Sequence, residues 1–197
     1  MRFVLHLITG FGDSAFLLPA SALLVAYLLY LRAVRVARIW VTTLALCAVL
    51  TLFLKIAFYT CGTAVPVLAL RSPSGHTSLS TTFYGCAALM MTGDKGRATQ
   101  IAVLTAGTFL ALAVAVSRVL LQAHTLSEVA LGLAIGVICV VWFGSEYLSR
   151  PPLSLPWRSS LLAVGLLALL MHGKHWELEW MVARIAAMLR SGASICA

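Results

Sequence analysis

The apolar residues of this chain come in runs of about 20, the length a helix needs to cross a bilayer core, with short basic clusters between the runs. No other feature restricts the possible folds as much. Six stretches qualify as spans: 14–31, 39–59, 76–91, 98–116, 125–143 and 157–176. The purely apolar part of the last is short. Trp157 and Trp176 would nevertheless stand about 28 Å apart on a helix, a separation that puts a tryptophan at each membrane interface. Hydrophobic residues make up 61% of the chain and charged residues only 10%, against about 45–50% and 25% in a soluble domain. Too little polar surface remains to cover the molecule in water. The predicted fold class is all-α: a polytopic membrane helix bundle of about six transmembrane helices, with residues 1–197 as a single domain.

The net charge of +8 fits either nucleic acid or anionic lipid head groups as partner. Its distribution decides for the membrane bilayer, because no basic stripe with exposed aromatics is present, and nucleic acid is excluded. Arg32, Arg35 and Arg38 follow the first run, Lys95 and Arg97 the third, and Arg150 and Arg158 the fifth. Alternate loops share a face, so the positive-inside rule makes this face cytoplasmic, although Lys174, Arg184 and Arg190 fall on the other side. The start, residues 2–12, is a poor signal peptide with no convincing cleavage site and is read as retained. The tail, 177–190, sets Trp180, Met181, Ile185 and Met188 at helical spacing with Glu177 and Arg184 off that stripe, as an interfacial amphipathic helix would. Cys47, Cys86 and Cys139 lie in apolar runs, where cysteine behaves as a small hydrophobe. A disulfide between Cys61 and Cys196 is an open option. His6, His172 and His175 read as bystanders.

The unusual chemistry gathers in the two remaining loops, after the second and fourth runs. Lys55, near the end of the second run, is either a lysine snorkelling to the interface or a cation facing a site. Arg71-Ser-Pro-Ser-Gly-His76 precedes the third run. Pro73 and Gly75 shape a turn and Ser74 is a plausible helix cap. Its exposed amides and the positive helix end make an anion site, or simply a well-capped start. Ser117-Arg118 closes the fourth run; the guanidinium is a planar fork suited to phosphate oxygens, or an interface anchor. His124 and Glu128, four residues apart, would share a helix face. The carboxylate then holds one ring nitrogen protonated and leaves the other as a nucleophile or base; taken alone, the pair is equally compatible with a structural or metal-binding role. Together these are two histidines, three cations, a serine, a helix N-terminus and one orienting acid. The set suits a phosphoryl group. It suits a metal poorly, with a single carboxylate near the histidines and no cysteine beside them, so no metal and no cofactor is expected.

These residues resemble the type-2 phosphatidic-acid phosphatase (lipid phosphate phosphatase) superfamily, which shares its core with vanadium haloperoxidases. The resemblance covers Lys55 to Gly136, with Gly132 and Gly136 allowing close helix packing beneath the site. The family's second motif is complete as Pro73, Ser74, Gly75 and His76. The third appears as Ser117, Arg118, His124 and Glu128, with glutamate in place of aspartate. Of the first, Lys55 fits, but Gly62 and Thr63 stand where arginine and proline are expected.

The resemblance implies a metal-independent membrane lipid phosphatase, hydrolysing a lipid phosphomonoester or diphosphate through a phosphohistidine. Catalytic residues would be His124 as nucleophile, Glu128 as its orienter and His76 as acid and base. Lys55, Arg118, Ser74, Gly75 and Arg71 would bind the substrate phosphate, with Arg71 standing in for the missing arginine. The implied setting is the bacterial inner membrane, with the site facing the periplasm. Two alternatives remain: a non-catalytic protein that binds or transports anionic lipid, and a lipid-to-lipid phosphotransferase. Which lipid is bound, and the oligomeric state, are not legible in the sequence.

Overall fold

The computed structural model describes residues 2–61, 72–93, 95–149, 184 and 187–188. Among these the regular structure is wholly α-helical: α1 Arg2–Gly10, α2 Ser14–Tyr30, α3 Val34–Cys61, α4 Gly75–Thr92, α5 Arg97–Leu120 and α6 Leu126–Leu148. Among the described residues, four stretches are long and apolar enough to cross a membrane: Arg2–Tyr30, Val34–Thr60, α5 and α6. The chain is therefore a helical membrane protein. Of the expected count of about six, the described residues supply these four. Helix α4 falls outside the four because Thr77, Ser78, Ser80, Thr81 and Thr82 crowd its first half. The expected span 157–176, the bulk of the tail 177–190 and a pairing of Cys61 with Cys196 lie outside the described residues; of the tail, Arg184, Ala187 and Met188 are helical and exposed.

Local chemistry sets the helix ends. Asp13 caps α2, its Oδ1 accepting from the Ala15 amide at 2.8 Å, which satisfies one of the orphan donors of the first turn. Helix α2 closes in a Schellman motif: Ala33 N–H donates to the Leu28 carbonyl and Arg32 N–H to Leu29, both at 2.9 Å. That motif needs a left-handed residue, and Arg32 supplies it at φ 56°, where glycine is usual. Helix α5 ends the same way, with Gln122 at φ 55° and Ala123 N–H donating to the Arg118 carbonyl at 3.0 Å.

Helix α4 is the centre of the bundle, packing most extensively on α5 and α6, and none of its described side chains is exposed. Most of its hydroxyls find partners: Thr82 Oγ1 donates to the Ser78 carbonyl at 2.9 Å, and Ser78 Oγ lies 2.9 Å from Thr51 Oγ1 of α3; Thr81 Oγ1 is buried without one. Such bonding keeps hydroxyls tolerable at membrane depth. Helix α6 approaches closely at two glycines. A Cβ at Gly132 would stand 2.7 Å from the Ser74 carbonyl, and one at Gly136 would stand 2.5 Å from Thr81 Cβ, so only glycine admits this contact.

Helices α2, α4 and α6 begin at one end of the bundle, and α3 and α5 finish there. The opposite half is filled by aromatics: Trp40 meets Phe83 and Phe143 edge-on, at 5.3 and 6.2 Å. Arg32, Arg35, Arg38, Lys95 and Arg97 gather beyond it. Arg35 Nη2 there donates to the Glu146 carbonyl and to Ser149 Oγ, tying α3 to α6.

Candidate active site

The end where α2, α4 and α6 begin carries three positive helix termini. The ends of α3 and α5 bring two cations, Lys55 and Arg118, to the same place. That electrostatic arrangement favours an anion.

Glu128 organises one half. It is the third residue of α6 and closes a capping box: its amide donates to Thr125 Oγ1 at 3.3 Å, and its Oε2 accepts from the Thr125 amide at 3.0 Å. The same Oε2 lies 3.0 Å from His124 Nδ1, while Oε1 accepts from the Ser72 amide at 3.1 Å. The Glu128 carbonyl takes the Ser74 amide at 3.1 Å. One residue thus holds the histidine, the start of its own helix and the turn before α4. The expectation that His124 and Glu128 share a helix face needs correction, because α6 starts at Leu126 and His124 lies in the preceding loop. Their pairing comes from the capping box. A glutamate at this position is the residue long enough to close the box, which accounts physically for the departure from aspartate.

The spacing between Arg118 and His124 also has a local cause. The Arg118 carbonyl accepts both the Ala123 and His124 amides, at 3.0 and 3.3 Å, so the Schellman turn swings the chain back and sets the imidazole beside the end of α5. With Nδ1 turned to Glu128, Nε2 faces the other way across the ring.

The turn before α4 is clamped to this half. Ser74 occupies the N-cap position, but its side chain makes no cap bond. Instead Ser74 is fully buried and its Oγ accepts from Thr77 Oγ1 at 3.0 Å; the expected side-chain cap is corrected accordingly. Lys55 is buried, with its Cε 3.8 Å from where a Cβ on Gly75 would stand. A lysine snorkelling into open head groups would be exposed, so the burial of Lys55 argues against that reading. Arg71, together with Gly62 and Thr63 of the incomplete first motif, lies outside the described residues.

Two contacts come from a region the sequence reading passed over. Arg118 Nη1 donates to Thr9 Oγ1 of α1 at 3.1 Å. His76 Nε2 lies 3.6 Å from Asp13 Oδ2, with the carboxylate side chain 5% exposed and the imidazole 22%. The elbow between α1 and α2 packs here without a gap: a Cβ on Gly12 would run into Val114, and Tyr84 Oη donates to the Phe11 carbonyl at 2.7 Å. The only clue in the sequence was an acid directly ahead of an apolar run, which reads as a helix cap and nothing more. His76, Gly75, Lys55, Ser74, Glu128, His124 and Arg118 are thereby joined into one cluster through contacts between neighbours.

A helical membrane protein that gathers two histidines and two cations where three helices start presents a site whose chemistry suits a phosphoryl group. Residues 56–148 match the model of the PAP2 superfamily, and this part of the chain belongs to that superfamily, the type-2 phosphatidic-acid phosphatases. A Klebsiella pneumoniae protein described as an uncharacterized 22.5 kDa protein in cps region is 31% identical over 132 residues. The match spans 66% of this chain and 63% of that protein. No solved structure matches the chain. Both motif histidines, both motif cations and Glu128 fall at or within one residue of the matched segment, whereas Thr9 and Asp13 lie well outside it.

Proposed function

We propose that the protein is a metal-independent phosphatase acting on a lipid phosphomonoester or diphosphate, through a phosphohistidine on His124. The observation that carries this reading is the His124 Nδ1–Glu128 Oε2 contact of 3.0 Å. It aims the opposite nitrogen away from the carboxylate as a nucleophile, beside a turn with helix-start amides. In the first step His124 Nε2 attacks phosphorus and the leaving oxygen departs with a proton from His76. In the second, His76 takes a proton from water, which displaces His124 and releases phosphate. Lys55, Arg118 and the Gly75 amide hold the equatorial oxygens, whose charge shifts during transfer. Arg71 replaces the absent first-motif arginine, and the buried Ser74 serves mainly by shaping the turn that presents those amides. The substrate carries its phosphate at head-group depth, because the cluster sits at the end of a bundle whose sides face lipid. Helix α4, about 27 Å long, and 157–176 complete about six spans. Residues 1–197 form one domain with an interfacial helix at 177–190. The basic residues at the opposite end support a site facing the periplasm of a bacterial inner membrane, as does a relative in Klebsiella pneumoniae.

The test is phosphate release from a panel of lipid phosphates in detergent with chelator present, for wild type and His124→Ala. Chelator-resistant release that disappears in the variant supports the reading. Release abolished by chelator sinks the metal-free mechanism. Lipid binding that needs Lys55 and Arg118 but not His124, without release, would favour a binding protein. Label appearing on a second lipid instead of in water would favour a phosphotransferase.

A further inference from the structure

Asp13 is a buried carboxylate that divides its two oxygens: Oδ1 caps α2 at the Ala15 amide, 2.8 Å away, and Oδ2 faces His76 Nε2 at 3.6 Å. A buried carboxylate is costly unless both oxygens find partners, and a serine would cap the helix equally well without carrying charge. Capping alone therefore does not account for an acid here. The phosphate-binding cluster already holds Lys55 and Arg118, so a protonated imidazole among them needs an anion beside it. Glu128 does not serve, because both its oxygens are engaged by His124, Thr125 and Ser72. The remaining acid among the described residues, Glu146, lies in the last turn of α6 at the far end.

We propose that Asp13 is the positioning residue of His76, holding the Nε2–H of the imidazolium so that Nδ1–H points at the leaving oxygen. This rests on the phosphatase reading above. As the His124 Nε2–phosphorus bond forms and the phosphorus–oxygen ester bond breaks, the Nδ1 proton passes to the departing alkoxide. His76 becomes neutral and keeps its Nε2–H turned toward Asp13. The next water gives its proton back to Nδ1 as its oxygen bonds to phosphorus and the phosphorus–nitrogen bond breaks. Asp13 keeps its charge throughout and never touches substrate. The segment that carries it lies outside the matched family core, so this chain completes its acid–base histidine with a carboxylate delivered by its own N-terminal elbow.

The leaving group supplies the test. An alkyl alkoxide needs a proton to depart, whereas a nitrophenolate leaves without one. The full chain in detergent is assayed with dodecyl phosphate and with 4-nitrophenyl phosphate, comparing kcat/KM, which reports the steps through ester cleavage. Asp13→Asn retains a helix cap and the side-chain shape but not the charge. It should lower kcat/KM for the alkyl ester by at least about 10-fold, within the range of general acid catalysis, and change the aryl ester by less than about 3-fold. Asp13→Ser retains the cap and loses the reach to His76, and should show the same selectivity; it also decides the matter if the asparagine variant does not fold. Equal losses on both esters, or none, would overturn the proposal while leaving the phosphatase reading intact. A wild type that cleaves neither ester would overturn both.

Discussion

The two histidines of the site each face a carboxylate, and the two pairs are built in opposite ways. His124 and Glu128 are four positions apart in the sequence. The Schellman turn of α5, the capping box of α6 and one amide from Ser72 hold them in place. His76 and Asp13 sit on elements separated by the whole of α2 and α3. They meet only because the α1–α2 elbow docks on α4 and α5 through Thr9, Phe11 and Gly12. The His124 half is organised mainly by hydrogen bonds that close within a few residues, with one amide from Ser72, and the His76 half by long-range packing. Disturbing the bundle should therefore separate them.

The largest effect tests the local pair outright. His124→Ala should cost about 10³-fold or more in phosphate release, with the unfolding temperature in detergent near that of wild type. Near-normal turnover would remove His124 from the mechanism. Glu128→Gln, which removes the charge but leaves an acceptor, should cost at least about 10²-fold, toward the ~10⁴-fold that the amide variant of a catalytic triad's orienting acid loses. Glu128→Asp should retain more activity than the glutamine variant, yet lose about 1 kcal/mol of stability because aspartate does not close the capping box. An aspartate variant as stable as wild type would undo the structural reason given for glutamate.

Gly12→Ala breaks the other side of the comparison by pushing a methyl group into Val114. A cost of about 1–3 kcal/mol is expected for such overpacking, together with about 10-fold slower turnover of an alkyl phosphate. Trapping of the phosphohistidine from an aryl phosphate should be little changed. If the aryl reaction fell equally, the two halves would not be separable. The smallest effect is a control at the far end: Arg32→Gly relieves a left-handed arginine and should raise stability by about 1 kcal/mol, read as a higher unfolding temperature with unchanged activity.

Much of the site was legible because its parts are local. Pro73 to His76 and Ser117 to Glu128 are contiguous segments whose spacing encodes turns and caps, so their chemistry survives being read in one dimension. Gly132 and Gly136 were legible as packing positions because close approach of two helices demands the smallest residue. Other features were hidden for physical reasons. The cap at Gln122 carries no glycine to announce it. The placement of His124 outside the helix depends on where the capping box closes, which an i to i+4 spacing does not reveal. The burial of Lys55 depends on which neighbour covers it.

By itself the sequence determined that this chain lives in lipid, where its long apolar helices α2, α3, α5 and α6 run, and that His124 faces Glu128. Those properties follow from segment hydropathy and from bonds that close over a few residues. Only the tertiary structure decided that Lys55 turns inward, that Ser74 is buried instead of capping, and that Thr9 and Asp13 reach Arg118 and His76. Those contacts depend on how α1, α2, α4 and α5 dock, and docking is set by the summed packing of many side chains, which no single spacing along the chain records.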